Sequence, residues 1–334
     1  MEFNRITTDA SVMPLTVDVR NLAQDDDARD VTVDFMASAV DGDSDAINVE
    51  LNNSNVGKLD IDSDIEIVDI STSGAPTSIN ELLAEGAGQV NIDGDQALVI
   101  DDLHTSANTV VDASGLTADL TVDDMTNVDE YYGAQGDDSV SFEGSIIQAN
   151  AGADKISIGS ATDAVGIRYE TGNDGGASGA ETGYDVITGF NDGDSDYILF
   201  DYDGFASTDG FGDGATGAGG VLKMAEDTQA DFTATKYGFR DNGLLLTQNG
   251  NGLSDADLTD LDVIAGRING RGVDAQDADS GVIVVQGVSQ SAIYLYTENN
   301  GGDGNVATSE LKILGIVDAN DLGYDTSDLQ YAIS

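Results

Sequence analysis

Between Val31 and Asp123 apolar residues return at every second position in a succession of short runs: VTVDF, INVEL, KLDID, IEIVDI, QVNID, ALVID, TVVDA and DLTVDD. Val31, Val33 and Phe35 fall on one side of an extended chain, as do Ile65 and Ile67, with polar or acidic residues between them. A period of two is that of a strand with one buried face. Clusters of Asn, Asp, Gly and Ser, the turn formers, separate the runs, and only 2 prolines occur in the whole chain. Many short strands in sequence call for a mostly β fold: a sandwich, a barrel or a β-helix.

Charge limits the partners. The chain has 63 acidic residues against 12 Lys and Arg, a formal net charge of −51 over 334 residues. Self-repulsion of that size opposes compaction unless salt or bound cations neutralise it, and it disfavours nucleic acid and anionic membranes as partners. The 40% hydrophobic content is still enough to build cores. With no cysteine, disulfides and thiolate metal sites are excluded.

The N-terminus lacks the charged region and the roughly 7–15-residue apolar region of a secretory signal, and no stretch reaches the roughly 18 apolar residues of a membrane span. A soluble protein with no transmembrane segment is expected, and any export must use another signal. Met1-Glu2-Phe3 can also be read as a start followed by a cloning-site remnant, which would make the chain a piece of something longer.

One stretch breaks the alternation. In PTSINELLAEGAG, Ser78 and Glu81 have capping-box spacing, Leu82 and Leu83 supply an apolar edge, and Gly86 can end a helix, so a short helix is predicted there. After Asp201 a glycine-rich segment reads as a loop. Beyond it GVLKM, FTATKYGF, GLLLTQNG, GVIVVQG, AIYLYTEN and ELKILGIV read as antiparallel strands. A helix is expected between them over SDADLTDLDVIAGRIN, with Leu258, Leu261, Ile264 and Ile268 on one face. The expected organisation is an N-terminal segment 1–30, a β-helical region 31–117, a calcium β-roll 118–200 and a β-rich cap 201–334.

The chemistry-bearing pattern lies in the third region. The parallel β-roll nonapeptide is G-G-x-G-x-D-x-U-x, with U a large apolar residue. GAQGDDSVS matches it at Gly133, Gly136, Asp138 and Val140; ANAGADKIS at Gly152, Asp154 and Ile156; AETGYDVIT at Gly183, Asp185 and Ile187. Glycine lets the loop turn tightly so that carbonyl oxygens point inward, and the aspartate adds an anionic oxygen. Ca²⁺ accepts about six to eight such oxygens in flexible geometry, and Mg²⁺ fits less well. The apolar residue then starts a short strand, so that metal binding and folding are linked. The step from Gly136 to Gly152 is 16 residues and that from Gly152 to Gly183 is 31, so the roll is degenerate and few ions are expected.

Three acidic loops repeat D-x-D-x-D: Asp41 to Asp45, Asp60 to Asp64, and Asp192, Asp194 and Asp196. Their twelfth positions hold Asn52, Ser71 and Asp203 rather than glutamate, which excludes EF-hands. The third lies beside the roll and is counted among the candidate metal ligands. For the other two a solvated acidic turn competes with a calcium loop.

The nonapeptides, followed by YDVITGFNDGDSDYILFD, resemble the terminal region of RTX (repeats-in-toxin) proteins, with Gly183, Asp185, Ile187, Phe190, Gly193, Asp196, Ile198 and Phe200 at the matching positions. VDISTSGAPTSINELL, VNIDGDQALVI and VVDASGLTADLTV are similar to the β-helical body of RTX-type surface-layer proteins. AIYLYTENNGGDGNVATSELKILGIVDANDL resembles their C-terminal type I secretion region. The resemblance implies a parallel β-helix and β-roll, export by type I secretion machinery, folding outside the cell on meeting calcium, and self-assembly into a two-dimensional lattice on the bacterial surface. A cell-surface polysaccharide is the implied anchoring partner.

Catalysis finds little support. His104 is the only histidine, no nucleophile elbow G-x-S-x-G is present, and there is no tryptophan for a sugar platform. A structural role is therefore expected. The alternatives are a calcium-dependent adhesin or glycan-binding module, and the noncatalytic end of a secreted enzyme.

Overall fold

The computed structural model describes residues 2–6, 15–22, 29–159, 164–170, 174–190, 196–201, 220–221, 224–226, 243–246, 253–270, 280–297, 305–319, 322 and 329–332. The fold is mostly β, 56% strand, with mostly parallel pairing. Two units are distinguished: Met1–Asn150 with Ile156–Ala161, and Ala151–Lys155 with Thr162–Ser334.

The first unit contains β1 (Glu2–Ile6), β2 (Leu15–Arg20), β3 (Arg29–Phe35), β4 (Ala46–Asn52), β5 (Asn55–Ile61), β6 (Ile67–Ser73), β7 (Thr77–Ala84), β8 (Gln89–Gly94), β9 (Leu98–Leu116), β10 (Leu120–Tyr132), β11 (Ser139–Phe142) and β12 (Ile146–Gln148). Each early strand pairs in parallel with the strand two places along, which makes one ladder of β1, β3, β5 and β7 and another of β2, β4, β6 and β8. The long strands β9 and β10 serve both: their first halves continue the β7 ladder and their second halves the β8 ladder. Then β11 extends the first and β12 the second. Asn108 and Asn127, at φ 63° and 68°, turn the backbone between the halves. Asparagine tolerates that left-handed conformation better than most residues.

This register stacks the core in columns. Ile47, Val68, Val90, Val111, Tyr131 and Ile147 are successive in-register partners, separated in sequence by 21, 22, 21, 20 and 16 residues. All six are fully buried. The opposite ladder stacks Val31, Leu59, Leu82, Leu103 and Met125 in the same way. Alternation in the sequence thus becomes one buried face per strand, and the 16-residue step between the first two nonapeptides matches the last step of the column.

The predicted helix at Ser78 to Gly86 is not formed: Thr77–Ala84 is strand β7, paired in parallel with β5 and β9. Thr77, Ile79, Leu82 and Ala84 are buried there. Two neighbouring ladders of backbone hydrogen bonds and four buried side chains outweigh a local capping preference, a tertiary effect invisible to short-range spacing. Gly86 has a different task from the one expected of it. A Cβ at this position would stand 2.0 Å from the Ser63 carbonyl oxygen, whereas one at Gly88 would meet nothing within 4 Å. Gly86→Ala is expected to cost roughly 1–3 kcal/mol through that backbone collision. Gly88→Ala should stay within about 0.5 kcal/mol; paired denaturant titrations check the contrast.

The chain passes through β13 (Lys155–Ile158) to the second unit, where β14 (Gly166–Tyr169), β15 (Asp185–Thr188), β16 (Tyr197–Asp201), β17 (Gly220–Val221), β18 (Met224–Glu226) and β19 (Gly243–Leu246) follow. A 3-10 turn, Asp255–Thr259, precedes helix α1 (Leu261–Gly270), and β20 (Ser280–Gln286), β21 (Ser291–Thr297), β22 (Leu311–Val317) and β23 (Leu329–Ala332) complete the order. The antiparallel expectation holds for β20 with β21 and β21 with β22. It fails for β18, β19 and β20, which pair in parallel. FTATKYGF and the glycine-rich segment after Asp201 lie outside the described residues.

Helix α1 forms where the apolar spacing places it. Leu258, Leu261, Ile264 and Ile268 are buried in one cluster with Ile283, Val285, Tyr294, Tyr296, Leu311 and Ile313. The Tyr294 hydroxyl donates to the Leu258 carbonyl oxygen, which seats the 3-10 turn on β21. Strands β21 and β22 are buried along nearly their whole length, which explains their continuous apolar runs in place of alternation.

Candidate functional site

The first nonapeptide occupies the turn between β10 and β11. Asp138 is buried, and both carboxylate oxygens accept amide hydrogens: Oδ1 from Leu120 N at 2.8 Å and Oδ2 from Ala134 N at 2.6 Å. One bond reaches back a full step of the ladder and the other closes the turn itself. Burial pushes the Asp138 carboxyl up to about 7, the amide bonds opposing only part of the rise.

Here the glycines serve close approach. A Cβ on Gly133 would lie 2.4 Å from the Ala149 carbonyl oxygen, and one on Gly136 2.3 Å from Asp119 Oδ1. Neither has positive φ, so at these two positions it is the missing side chain and not a left-handed backbone that the turn uses; Gly152 (φ 142°) and Gly183 (φ 84°) do turn to positive φ. Asn150 completes the turn, its Nδ2 donating to the Gly133 carbonyl at 2.6 Å while Gly133 N donates to Gln148 O at 2.8 Å.

The second and third nonapeptides meet in the second unit. Asp154 N donates to Asp185 Oδ1 at 3.1 Å, and Val186 N donates to the Asp154 carbonyl at 2.7 Å. Both aspartates are buried. Asp185 is pushed above the usual carboxylate range by burial, against hydrogen bonds from the Asp154 amide and the Tyr169 hydroxyl. Asp196 repeats the arrangement: it is buried and its Oδ1 accepts Val165 N at 2.9 Å. Asp138, Asp185 and Asp196 therefore share one construction, a buried carboxylate at the start of a strand that holds the amide at the start of an earlier segment. Asp192 and Asp194 lie outside the described residues.

Three groups beside Asp185 carried no spacing signal in the sequence. Asp174 is buried and accepts Glu170 N at 2.8 Å. Burial raises the Tyr169 hydroxyl well above its ordinary value. The Lys312 ammonium is lowered by burial, while attraction to Asp174 and Asp185 works the other way. Only their position in the fold, on β14, the loop after it and β22, joins them to Asp185.

The acidic loops divide. Asp62 is committed to protein amides, accepting Phe35 N at 2.6 Å and Asp64 N at 3.1 Å, which is the solvated-turn reading. Asp45 instead is fully buried beneath an exposed loop.

As ligands for a hard cation these residues fit in kind: each aspartate offers anionic oxygen in a buried turn whose backbone carbonyls lie close by. Among the described residues, no three acidic or histidine side chains converge in a metal-holding group. A bound calcium would therefore take most of its oxygens from main chain and water. No described helix is long and apolar enough to cross a membrane. Comparison with protein-family models, with curated proteins and with solved structures finds no match for this chain.

Proposed function

We propose that this chain is a structural protein of a bacterial surface layer, a parallel β-helix passing into a calcium β-roll, which folds and self-assembles when calcium reaches its glycine-aspartate turns. The observation that carries this reading is the burial of Asp138, Asp154, Asp185 and Asp196 in a chain of net charge −51. A carboxylate withdrawn from water needs a proton, a fixed cation or a metal. Lys312 is attracted to Asp174 and Asp185, and Asp138 accepts the amides of Leu120 and Ala134. A divalent cation at such turns would replace the proton as the neutralising partner and hold them folded as pH rises.

The coil reading rests on the two ladders, whose steps of about 20 residues leave room for two strands and two turns per repeat. Type I export agrees with it: without calcium the polyanion stays expanded and can be threaded. No catalytic role is assigned. Calcium titration followed by circular dichroism and sedimentation tests the reading. Asp138→Ala combined with Asp154→Ala should raise the calcium needed for folding, and ordered assemblies should form only above that concentration. An unchanged midpoint would remove these two turns from the metal sites; equal folding and assembly after exhaustive chelation would end the proposal.

A further inference from the structure

The loop before β4 is built unlike the glycine-aspartate turns. Residues Asp41, Gly42, Asp43 and Ser44 are exposed, and Asp45 beneath them is fully buried. Its Oδ2 accepts the Gly42 amide at 3.0 Å. Its Oδ1 is shut off from solvent and makes no hydrogen bond. A Cβ on Gly42 would lie 3.3 Å from Oδ2 and 3.4 Å from Oδ1, so both oxygens face the underside of the loop. Glu66 is fixed alongside, its Oε2 accepting the Asp45 amide at 2.7 Å, and the Asp45 carbonyl is occupied by the amides of Glu66 and Ile67.

A buried carboxylate oxygen with nothing bound to it costs several times what a satisfied one does. Among the described residues no arginine or lysine is paired with it; Arg20 pairs with Asp18, Lys58 with Asp60 and Arg168 with Glu170. What the surroundings offer is oxygen and negative charge: the carboxylates of Asp45 and Glu66, beneath a loop that carries the exposed Asp41 and Asp43. That is a donor set for a hard divalent cation of calcium's size, which tolerates irregular geometry and a large share of carbonyl and water oxygens.

We infer that Asp45 Oδ1 and Glu66, closed over by the 41–44 loop, form a calcium site separate from the glycine-aspartate turns. Gly42 is glycine so that the loop can lie directly on the carboxylate. The ion would tie β4 to the start of β6, one ladder step away, and so lock the register of the β-helical region from its side.

Equilibrium dialysis and calorimetry with calcium chloride on the full chain test the site. Asp45→Asn, an isostere that keeps one oxygen for the Gly42 amide, should bind one calcium ion fewer per chain than the parent. Glu66→Gln, which leaves Asp45 in place, should weaken that same ion roughly tenfold, and it serves where Asp45→Asn fails to fold. Asp138→Asn with Asp154→Asn should retain the ion, so a failure of the glycine-aspartate reading and a failure of this site give different stoichiometries. Unchanged calcium binding in both Asp45→Asn and Glu66→Gln overturns the inference, as does a high-resolution structure in calcium with only water at Oδ1.

Discussion

In the presence of a chelator, the protein should resist denaturant better at pH 5 than at pH 8. Asp138 stands at about 7 in the folded state and Asp185 is raised in the same direction, in both cases chiefly by burial. An unfolded aspartate titrates near its ordinary value of 3.8. A folded-state value above the unfolded one means that the native chain holds the proton more tightly. The associated stability is complete below the unfolded value and is lost as pH climbs through the folded one, here between about 4 and 7. For Asp138 that loss is roughly 4 kcal/mol as an upper figure, comparable to a large fraction of a domain's stability.

Calcium should flatten this profile, because the ion replaces the proton as the neutralising partner and binds better once the proton has left. Repulsion among the 63 acidic groups also grows with pH and must be separated from the buried term. Salt near 1 M, where the screening length is about 3 Å, suppresses the surface part and leaves the buried part. In that salt, Asp138→Asn and Asp185→Asn should each flatten the chelated profile. If neither variant changes it, the buried aspartates are not the source and the link between these turns and calcium loses its basis.

The extent to which the fold could be read from the chain follows the range of the forces involved. Alternation of Val, Ile and Leu is local, so β3 to β6 and β8 lie where period two places them, and α1 lies where Leu261, Ile264 and Ile268 place it. Pairing is not local. Nothing near Val68 says that its partners are Ile47 and Val90, yet that register decides which residues share a column. ALVID and TVVDA read as two strands, whereas β9 runs through both because Asn108 turns the backbone without breaking either ladder.

The candidate site shows the same division. Glycine two residues before aspartate marks Asp138, Asp154 and Asp185, and all three are buried turn carboxylates. The neighbours of Asp185, namely Tyr169, Asp174 and Lys312, come from segments with no repeated motif and are assembled by the fold alone. Asp45 was visible only as one acid among many in DGDSD; its distinction is complete burial, which no spacing encodes.

Replacing Leu82 by alanine should destabilise the protein by about 2–5 kcal/mol, the usual range for a buried leucine whose cavity cannot collapse. Replacing its neighbour Leu83 should cost less than about 1 kcal/mol. Leu82 is fully buried in the column between Leu59 and Leu103. Those neighbours are held by two parallel ladders, so they cannot move in to fill the space. Leu83 points the other way, in register with Asp60 and His104, and lines an acidic surface depression of about 310 Å³ with Asp34, Asp62 and Glu85. Thermal or urea unfolding of the two variants measures the difference. On the helix that Ser78 and Glu81 suggest, Leu82 and Leu83 would sit together on one apolar edge and lose similar amounts. A large cost at Leu82 beside a small one at Leu83 is the behaviour of a strand, whose successive side chains face opposite ways. Near-equal costs would remove β7 from the ladder, and with it the register that joins β5 to β9.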